Sequence, residues 1–171
     1  AFDKGVECIL KTQVIINGKP TVWCAQHDEH TLAPAKARAY ELPSLSGAES
    51  DNIVILLMSL PNPSKEVIAC IENAIEWFKI SKIEGMKKEF FTNDEGKKDF
   101  RMVPCTDCPP LWGRFYTLED NRPFVSDRDG VKKFDISEIG YERRNGYSWY
   151  NSDGVKVFKK YEQWKKKNNK P

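Results

Sequence analysis

The sequence predicts a mainly α-helical domain with long polar loops and a few short strands. Two apolar segments, at 46–60 and 63–80, have helical periodicity with start and stop signals. A third amphipathic segment lies at 156–170. The stretches between them are rich in aromatic and polar residues, which is typical of a helical scaffold that carries its binding surface on loops.

Length and composition indicate one globular domain. The chain has 171 residues, of which 40% are hydrophobic and 30% charged, so the class of disordered chains is excluded. Its longest apolar run, at 53–58, is too short to cross a bilayer. With 27 basic and 25 acidic residues, the net charge of +2 gives no argument for nucleic acid. We expect a monomer with neither nucleic acid nor membrane as a partner.

The N-terminal segment predicts a helix and then a hairpin. Val6, Leu10 and Val14 recur at helical spacing from the start of the chain, and no signal-peptide pattern precedes them. We therefore interpret residues 1–171 as a single domain that forms part of a longer protein. Asn17-Gly18 separates two β-prone runs, which is typical of a tight hairpin turn.

Two helices form the predicted core. Ser46 and Glu49 make a capping box before the first helix, and Pro61 ends it. Ser64 begins the second helix, and the short Pro-Asn-Pro link predicts an antiparallel hairpin. The apolar residues expected to face the core are Ile53, Leu56, Leu57 and Leu60 in the first helix and Val67, Ile68, Ile71, Ile75 and Phe78 in the second.

The second half of the chain has weaker patterns. The segment 84–110 is rich in charge, glycine and proline and is interpreted as a surface excursion. Residues 112–130 predict two short strands around Asp120-Asn121. A helix is expected from Asp135 or Ser137 to Asn145-Gly146. The basic face of the segment 156–170 is interpreted as solvated, in preference to a phosphate-binding tail.

Cysteines and histidines give no strong metal signal. The five cysteines are an odd number, so they cannot all pair within the chain. For Cys105 and Cys108 we favour a local disulfide or two loop thiols over a zinc site or a redox motif. His27 stands beside Asp28 and Glu29, which would suit acid–base chemistry or a metal. We favour a loop histidine that orients its neighbours by hydrogen bonds.

Arginines beside aromatic residues are the main candidates for function. They are Arg38, Arg114, Arg128 and Arg143, in the strings RAYE, WGRFY, FVSDRDG and YERRNGYSWY. Guanidinium groups bind carboxylates in a bidentate manner, and aromatic rings pack on sugar faces, so the mixture suits an acidic carbohydrate. The alternative, which composition alone favours, is that each arginine pairs with a nearby carboxylate, as Arg143 could with Glu142 or Glu138.

Three long strings resemble the polysaccharide lyase family 10 pectate lyases. They are TVWCAQHDEHTLAPAKARAYELPSLSGAES, PLWGRFYTLEDNRPFVSDRDG and ISEIGYERRNGYSWY, in that order. The resemblance implies a secreted enzyme that uses calcium to cleave polygalacturonate by β-elimination into unsaturated products. It also implies an incomplete (α/α)3 toroid of three helical hairpins, of which this chain would be the C-terminal part.

The resemblance also assigns roles to the arginines. Arg128, in the S-D-R-D string, matches the catalytic base of the family. Arg114 and Arg143 match arginines that contact the substrate carboxylates, as does Arg38. The acidic calcium ligands of the family lie upstream of the first residue here, so no metal ligand is assigned within the chain. A non-catalytic domain that binds acidic polysaccharide, or an inactive lyase fragment, is the alternative.

An arginine base imposes a condition on its surroundings. A guanidine must be neutral to accept a proton, and free arginine titrates only above about pH 12. Nearby positive charge favours the neutral form, whereas Asp127 and Asp129 would oppose it if they faced the guanidinium. We therefore expect neither carboxylate to contact the Arg128 guanidinium, and we expect an alkaline pH optimum.

Overall fold

A computed structural model describes residues 1–168. The α-helices in this range are α1 (Phe2–Thr12), α2 (Gly47–Ser59), α3 (Lys65–Ile80), α4 (Tyr141–Asn145) and α5 (Asp153–Asn168). The strands are β1 (Ile15–Ile16), β2 (Lys19–Pro20), β3 (Leu45–Ser46), β4 (Met86–Thr92), β5 (Lys98–Pro104), β6 (Trp112–Gly113), β7 (Phe115–Tyr116), β8 (Pro123–Ser126), β9 (Lys132–Lys133) and β10 (Tyr150–Asn151). A 3-10 helix covers Ile136–Glu138.

The predicted mainly α toroid is wrong. The structure is 38% helical and 21% strand, with several antiparallel sheets beside the helices. Three helical hairpins would need six paired helices, but much of the chain between α3 and α5 is extended instead. The reason is that alternating aromatic, β-branched and polar residues in 86–126 suit a pleated surface better than a helix face.

The strongest helix predictions are confirmed. The Ser46 hydroxyl accepts a hydrogen bond from the Glu49 backbone N–H, and the Ser64 hydroxyl accepts one from Val67. α2 and α3 pack against each other across the short link at 60–64. The predicted core face of α2 is partly wrong, because Leu56 is 41% exposed while Val54 is fully buried. The buried face of α2 instead includes Ser50, near the start of the helix, whose hydroxyl accepts a hydrogen bond from the Trp23 backbone N–H.

The first and last helices are also confirmed. α1 covers the first dozen residues, and the Asn17-Gly18 turn after it has the positive φ angles, 50° and 75°, that such a turn requires. α5 buries Val157, Tyr161 and Trp164 and exposes its basic side. The last predicted residues of that helix, 169–170, lie outside the described residues.

The four-stranded antiparallel sheet has the order β3-β7-β8-β9 and carries the predicted turn at Asp120-Asn121. A second antiparallel pair, β6 with β10, joins the sheet region to the start of α5. After β9 the expected single helix is divided into the 3-10 helix, capped by Asp135, and α4. This arrangement places the S-D-R-D string directly after β8.

The segment 84–110 lies mostly at the surface, as the predicted surface excursion required, but it forms a regular hairpin that the sequence patterns did not reveal. Here β4 and β5 pair over seven residues each, and the side chain of Asn93 closes the turn by accepting from the backbone N–H groups of Glu95 and Lys97. The hairpin is stabilised by cross-strand pairs such as Phe90 with Phe100 and Glu89 with Arg101. High charge concealed the alternation that produces these strands.

Two hydrophobic clusters form the interior. One packs α2, α3 and α5 around Trp23, Trp77 and Trp112, and the other packs the strands around Phe115 and Trp149. The Trp112 indole N–H donates to the Phe78 carbonyl at 2.9 Å, which ties β6 to the end of α3. Such buried aromatic residues with a bonded polar group fix the relative position of two elements.

The described residues include both paired and free cysteines. Cys105 and Cys108 form a disulfide, which confirms the first of the favoured alternatives, and Cys8, Cys24 and Cys70 are free. None of the helices in the described range combines the length and the apolar character needed to cross a bilayer.

Candidate functional site

Arg128 lies on the turn that follows β8. The Asp127 carboxylate shapes this turn, because it accepts hydrogen bonds from the Arg128 backbone N–H at 2.7 Å and from the Gly140 N–H at 2.6 Å. The bond from Gly140, and then the bond from Arg128, hold the pKa of Asp127 below its usual value. Asp127 therefore fixes the Arg128 turn to the residue that precedes α4.

Neither carboxylate beside Arg128 in the sequence contacts its guanidinium in the described structure. Asp127 accepts backbone N–H groups, and Asp129 accepts the Val131 N–H at 3.0 Å and the Lys133 ammonium at 2.8 Å. The expectation that these aspartates turn away from the guanidinium is confirmed.

A third carboxylate, that of Glu142 on α4, does face Arg128. Its Oε2 lies 3.4 Å from Arg128 Nε and 3.3 Å from Nη2, while its Oε1 accepts from Arg143 Nη2 at 2.9 Å. The Arg128 and Glu142 side chains are 68% and 63% exposed. A long, solvated pair of this kind holds the guanidinium only weakly. Glu142 thus joins two of the predicted arginines.

Arg143 is held far more tightly than Arg128. Its side chain is 7% exposed, and its guanidinium carbon lies 4.1 Å from the centre of the Tyr40 ring. The alternative in which Arg143 pairs with Glu142 is confirmed. Because the ring and the carboxylate constrain it from two sides, Arg143 presents a fixed positive charge.

Arg114 has a similar environment on the other side of Tyr147. Its guanidinium carbon lies 4.5 Å from the centre of that ring, and its Nη2 pairs with Glu49, which also accepts from the Ser46 hydroxyl. The sheet contributes directly, because Arg114 stands between β6 and β7 and its backbone N–H donates to the Trp149 carbonyl at 2.7 Å. Arg114 is therefore positioned by its backbone as well as by its side chain.

Arg38 completes the set through Glu41. Arg38 Nη1 lies 3.2 Å from Glu41 Oε1, which also accepts the Tyr147 hydroxyl at 2.6 Å. Burial alone would raise the pKa of Glu41, but the hydrogen bonds from Tyr147 and from the Arg38 backbone N–H, with the charges of Arg38 and Arg114, lower it overall. Glu41 therefore stays ionised and keeps Arg38 near Tyr147.

All four predicted arginines thus belong to one connected set of contacts, which we call the arginine network. It consists of Arg38, Arg114, Arg128, Arg143, Tyr40, Tyr147, Glu41, Glu49 and Glu142. Tyr40 and Tyr147 meet edge to face, with ring centres 5.1 Å apart, in the middle of the network. The sequence placed these tyrosines beside arginines, but nothing in it showed that the two strings meet.

Two donors in the network have no acceptor. Arg114 Nε and Arg143 Nε are buried and lack a hydrogen-bond partner in the described structure. Buried polar groups are nearly always paired, so two such donors on neighbouring guanidiniums mark a place that is not fully satisfied by the protein itself. The two guanidiniums thus carry positive charge that the protein only partly pairs, although the Nε atoms themselves are covered.

His27 lies outside the network and has a structural role. Its Nε2 accepts from the Cys24 backbone N–H at 3.1 Å, and its Nδ1 lies 2.9 Å from the Leu32 carbonyl oxygen. Both ring nitrogens are used to hold the loop together. The favoured interpretation of His27 as an orienting residue is confirmed.

Calcium is the metal that the resemblance implies, and the described residues do not fit it. Residues 1–168 contain no group of three or more His, Cys, Asp or Glu side chains placed to hold a metal ion. The carboxylates of Glu41, Glu49 and Glu142 are already bonded to arginine, serine or tyrosine groups. Calcium takes six to eight oxygen ligands, so we assign no calcium ligand to this part of the chain.

Comparison with known proteins identifies the family. The family model described as pectic acid lyase matches residues 1–158. The chain belongs to the pectic acid lyase family. No curated protein sequence matches it.

Two solved structures show how much of such a lyase the chain represents. A mutant of a family 10 polysaccharide lyase from Cellvibrio cellulosa, in complex with trigalacturonic acid, has a TM-score of 0.81 at 38% identity, covering 98% of this chain and 50% of that one. The family 10 polysaccharide lyase from the same organism has a TM-score of 0.82 at 39% identity, covering 94% and 49%. The chain spans about half the length of these solved relatives.

Proposed function

We propose that the chain forms the arginine-bearing side of the active site of a pectate lyase. The enzyme cleaves α-1,4-linked polygalacturonate by β-elimination and releases unsaturated oligogalacturonides. The observation that carries this proposal is the arginine network, which connects all four predicted arginines. Arg114 and Arg143 lie against the rings of Tyr147 and Tyr40. Arg38 and Arg128 join them through Glu41 and Glu142. Family membership and a relative in complex with trigalacturonic acid support the same substrate class.

The reaction needs positive charge where the uronate carboxylate lies. Removal of the proton on C5 places negative charge on the adjacent carboxylate, and the electron pair then forms the double bond as the glycosidic oxygen leaves. Arg114 and Arg143, whose guanidiniums are fixed against tyrosine rings, are suited to stabilise that charge as it develops. Arg38 lies on the edge of the network, where it would bind a neighbouring sugar carboxylate.

Arg128 is the member best suited to move a proton. Its guanidinium is exposed, and its only ion pair among the described residues is the long one with Glu142. Arg143 contacts the same Glu142 carboxylate. Its positive charge, being close to Arg128, favours the neutral form of a guanidine that acts as a base. An alkaline pH optimum follows, because the neutral form becomes more populated as pH rises.

We also propose that the enzyme uses calcium, held mostly by the substrate carboxylates and by residues outside this segment. The bound ion would add positive charge beside the uronate. The same proposal places the rest of the active site outside these residues. Secretion is proposed as well, and it agrees with the Cys105–Cys108 disulfide, which forms in oxidising compartments.

The test is an Arg128→Ala variant of the full-length lyase, assayed on polygalacturonate by the ultraviolet absorbance of unsaturated uronides. We expect activity to fall by about 10²–10⁴-fold, the usual contribution of a general base. Arg122→Ala is the matched control, because Arg122 is an exposed arginine in the turn between β7 and β8, and it lies over the Phe134 ring outside the network. Its activity should be unchanged.

Two outcomes would contradict the assignment. Near-normal turnover by Arg128→Ala would remove Arg128 as the base while leaving a lyase. Binding of polygalacturonate by the wild-type protein with no unsaturated product would instead support the non-catalytic binding domain.

A further inference from the structure

The β4–β5 hairpin has one face that combines aromatic and basic side chains, in which Phe90 is exposed over the buried Phe100. Phe90 and Phe100 are directly opposed across the strands, with ring centres 6.0 Å apart. Lys98 Nζ lies 4.6 Å from the centre of the Phe90 ring, and Lys88 Nζ lies 5.4 Å from that of Phe100. Because side chains two apart share a face of a strand, all four point to the same side. We call Lys88, Phe90, Lys98 and Phe100 the hairpin face.

The two lysines of this face lack a carboxylate. The acidic residues of β4, β5 and their turn that form ion pairs do so with other partners, since Glu89 pairs with Arg101, Glu95 with Lys97 and Asp99 with Arg144. Neither Lys88 nor Lys98 forms an ion pair within residues 1–168.

Lys88 gains most from an added anion. It is half-buried, and burial lowers its pKa because the charged ammonium loses solvation without gaining a partner. A carboxylate beside it would restore favourable charge interactions. Surface lysines that are fully solvated gain far less from such a pair.

A cavity of about 320 Å³ opens at the Lys88 end of the hairpin. Its walls include Lys88, Leu111, Tyr150, Asn151 and Ser152. The volume lies within the range of ordinary ligand pockets, and the mixture of an apolar floor with amide, hydroxyl and ammonium groups suits a polar ring that carries a carboxylate.

The hairpin is fixed to the helix that carries part of the arginine network. Arg144 on α4 donates to both oxygens of the buried Asp99 at 2.8 and 2.7 Å, and the Tyr141 hydroxyl donates to the Lys98 carbonyl at 3.1 Å. The neighbouring residues Glu142 and Arg143 belong to the network. The two surfaces are therefore held in a fixed relation through α4.

We propose that the hairpin face is a second binding site for an acidic polysaccharide chain, which it holds beyond the sugars that contact the arginine network. Its ligand class rests on the proposed function. Lys88 and Lys98 bind uronate carboxylates, and Phe90, which is 58% exposed, packs against a sugar face. Long substrate is retained between cuts, whereas a trisaccharide does not reach the hairpin.

The test compares the full-length protein with the double variant Lys88→Gln/Lys98→Gln. Binding to polygalacturonate and to trigalacturonate is measured by titration calorimetry at low salt. We expect about 5- to 20-fold weaker binding of the polymer, as for the loss of two charge-assisted contacts, with a reduced salt dependence. Binding and turnover of the trisaccharide should change by less than about two-fold, since surface charges far from a ligand are screened.

Lys159→Gln/Lys166→Gln is the matched control. It removes the same charge from two exposed lysines of α5, and it should bind the polymer as the wild type does. If the control variant weakens binding of the polymer as much as the hairpin variant does, the effect comes from net charge alone and the proposal is wrong. A second variant, Phe90→Ser, keeps both lysines and should also weaken binding of the polymer alone.

The outcomes separate this proposal from the proposed function. If the wild type binds polygalacturonate and the hairpin variants are unchanged, the second site is wrong and the lyase proposal stands. If the wild type binds single-stranded DNA more tightly than polygalacturonate, and the hairpin variant loses that binding, the ligand class is wrong. If the wild type binds no polygalacturonate, both proposals fail.

Discussion

Glu142 is the carboxylate that contacts the Arg128 guanidinium, although it holds it only weakly. It is exposed, and it contacts Arg128 through one oxygen and Arg143 through the other. The sequence named Glu142 only as a possible partner of Arg143. Its contact with Arg128 could not be predicted, because 14 positions separate the two residues and the distance closes only when Asp127 docks on Gly140.

Glu142→Gln should lower the activity of the full-length lyase on polygalacturonate. The amide keeps the size of the side chain but removes the charge that contacts Arg128 and Arg143 through its two oxygens. Because the pair with Arg128 is solvated, the loss should be modest, about two- to five-fold in kcat/KM. The measurement is the rate of formation of unsaturated uronides. An unchanged or higher kcat/KM would contradict this role.

Gly154 marks a site where one methyl group decides the packing of α5. A Cβ at this position would lie 2.6 Å from the ring of the buried Trp112. Gly154→Ala should therefore reduce the free energy of unfolding by about 1–3 kcal/mol. Gly5→Ala in α1, where a Cβ meets nothing within 4 Å, is the control and should gain about 0.5–1 kcal/mol from helix propensity. Chemical denaturation measures both, and equal effects would refute the packing argument.

At the scale of elements, α2 contains a buried carboxyl group that is only partly satisfied. Asp51 is 5% exposed, and its Oδ1 has no hydrogen-bond partner in the described structure. Burial, and then repulsion from Asp153 at the start of α5, raise its pKa to about 6 from 3.8. The contact between α2 and α5, which is extensive, therefore includes an electrostatic cost near neutral pH.

The sign of this effect predicts how stability depends on pH. A carboxyl group with a raised pKa in the folded state stabilises the fold fully below the unfolded pKa, and this contribution is lost as pH rises through about 6. Asp51→Asn should thus raise the free energy of unfolding at pH 8 by up to about 3 kcal/mol, and the melting temperature should rise with it. The gain should vanish near pH 4. A lower melting temperature at pH 8 would show that the ionised carboxylate is needed.

The helices were easier to predict than the strands. Capping residues and apolar periodicity act within a few positions, so Ser46, Ser64 and most of the buried faces of α3 and α5 could be identified locally. The exception in α3 is Ile68, which was expected in the core and is 36% exposed. The pairing of β4 with β5 depends on a match between two charged segments and on Asp99, which pairs with Arg144 more than 40 positions away. Each segment alternates, but its high charge conceals the alternation, and neither segment shows which stretch it pairs with.

At the scale of the whole molecule, two interiors of different kinds meet along β6 and β7. One is built from helix faces and the other from aromatic residues of the strands. The predicted toroid failed because it assigned the entire chain to the first kind. The arginine network lies on the strand side, where β7, β8 and α4 converge.

The distribution of carboxylates over the molecule gives a prediction for calcium. Since the described residues contain no group of three metal-ligating side chains, the 171-residue chain alone should bind Ca²⁺ no more tightly than about millimolar. Titration calorimetry of chelator-treated protein measures this. A saturable site of micromolar affinity would contradict this prediction. A second titration with polygalacturonate present measures how much Ca²⁺ is bound through the substrate carboxylates.

The family, the main helices and the four candidate arginines could all be identified from the amino-acid sequence. They depend on local periodicity, on capping and on ordered strings, all of which are properties of neighbouring residues. Three features became visible only in the folded chain: Tyr40 and Tyr147 meet between Arg114 and Arg143, Glu142 reaches Arg128, and 84–110 forms a hairpin with a basic aromatic face. Each of these features joins residues distant in the chain, and such contacts depend on how the elements pack rather than on what each segment favours alone.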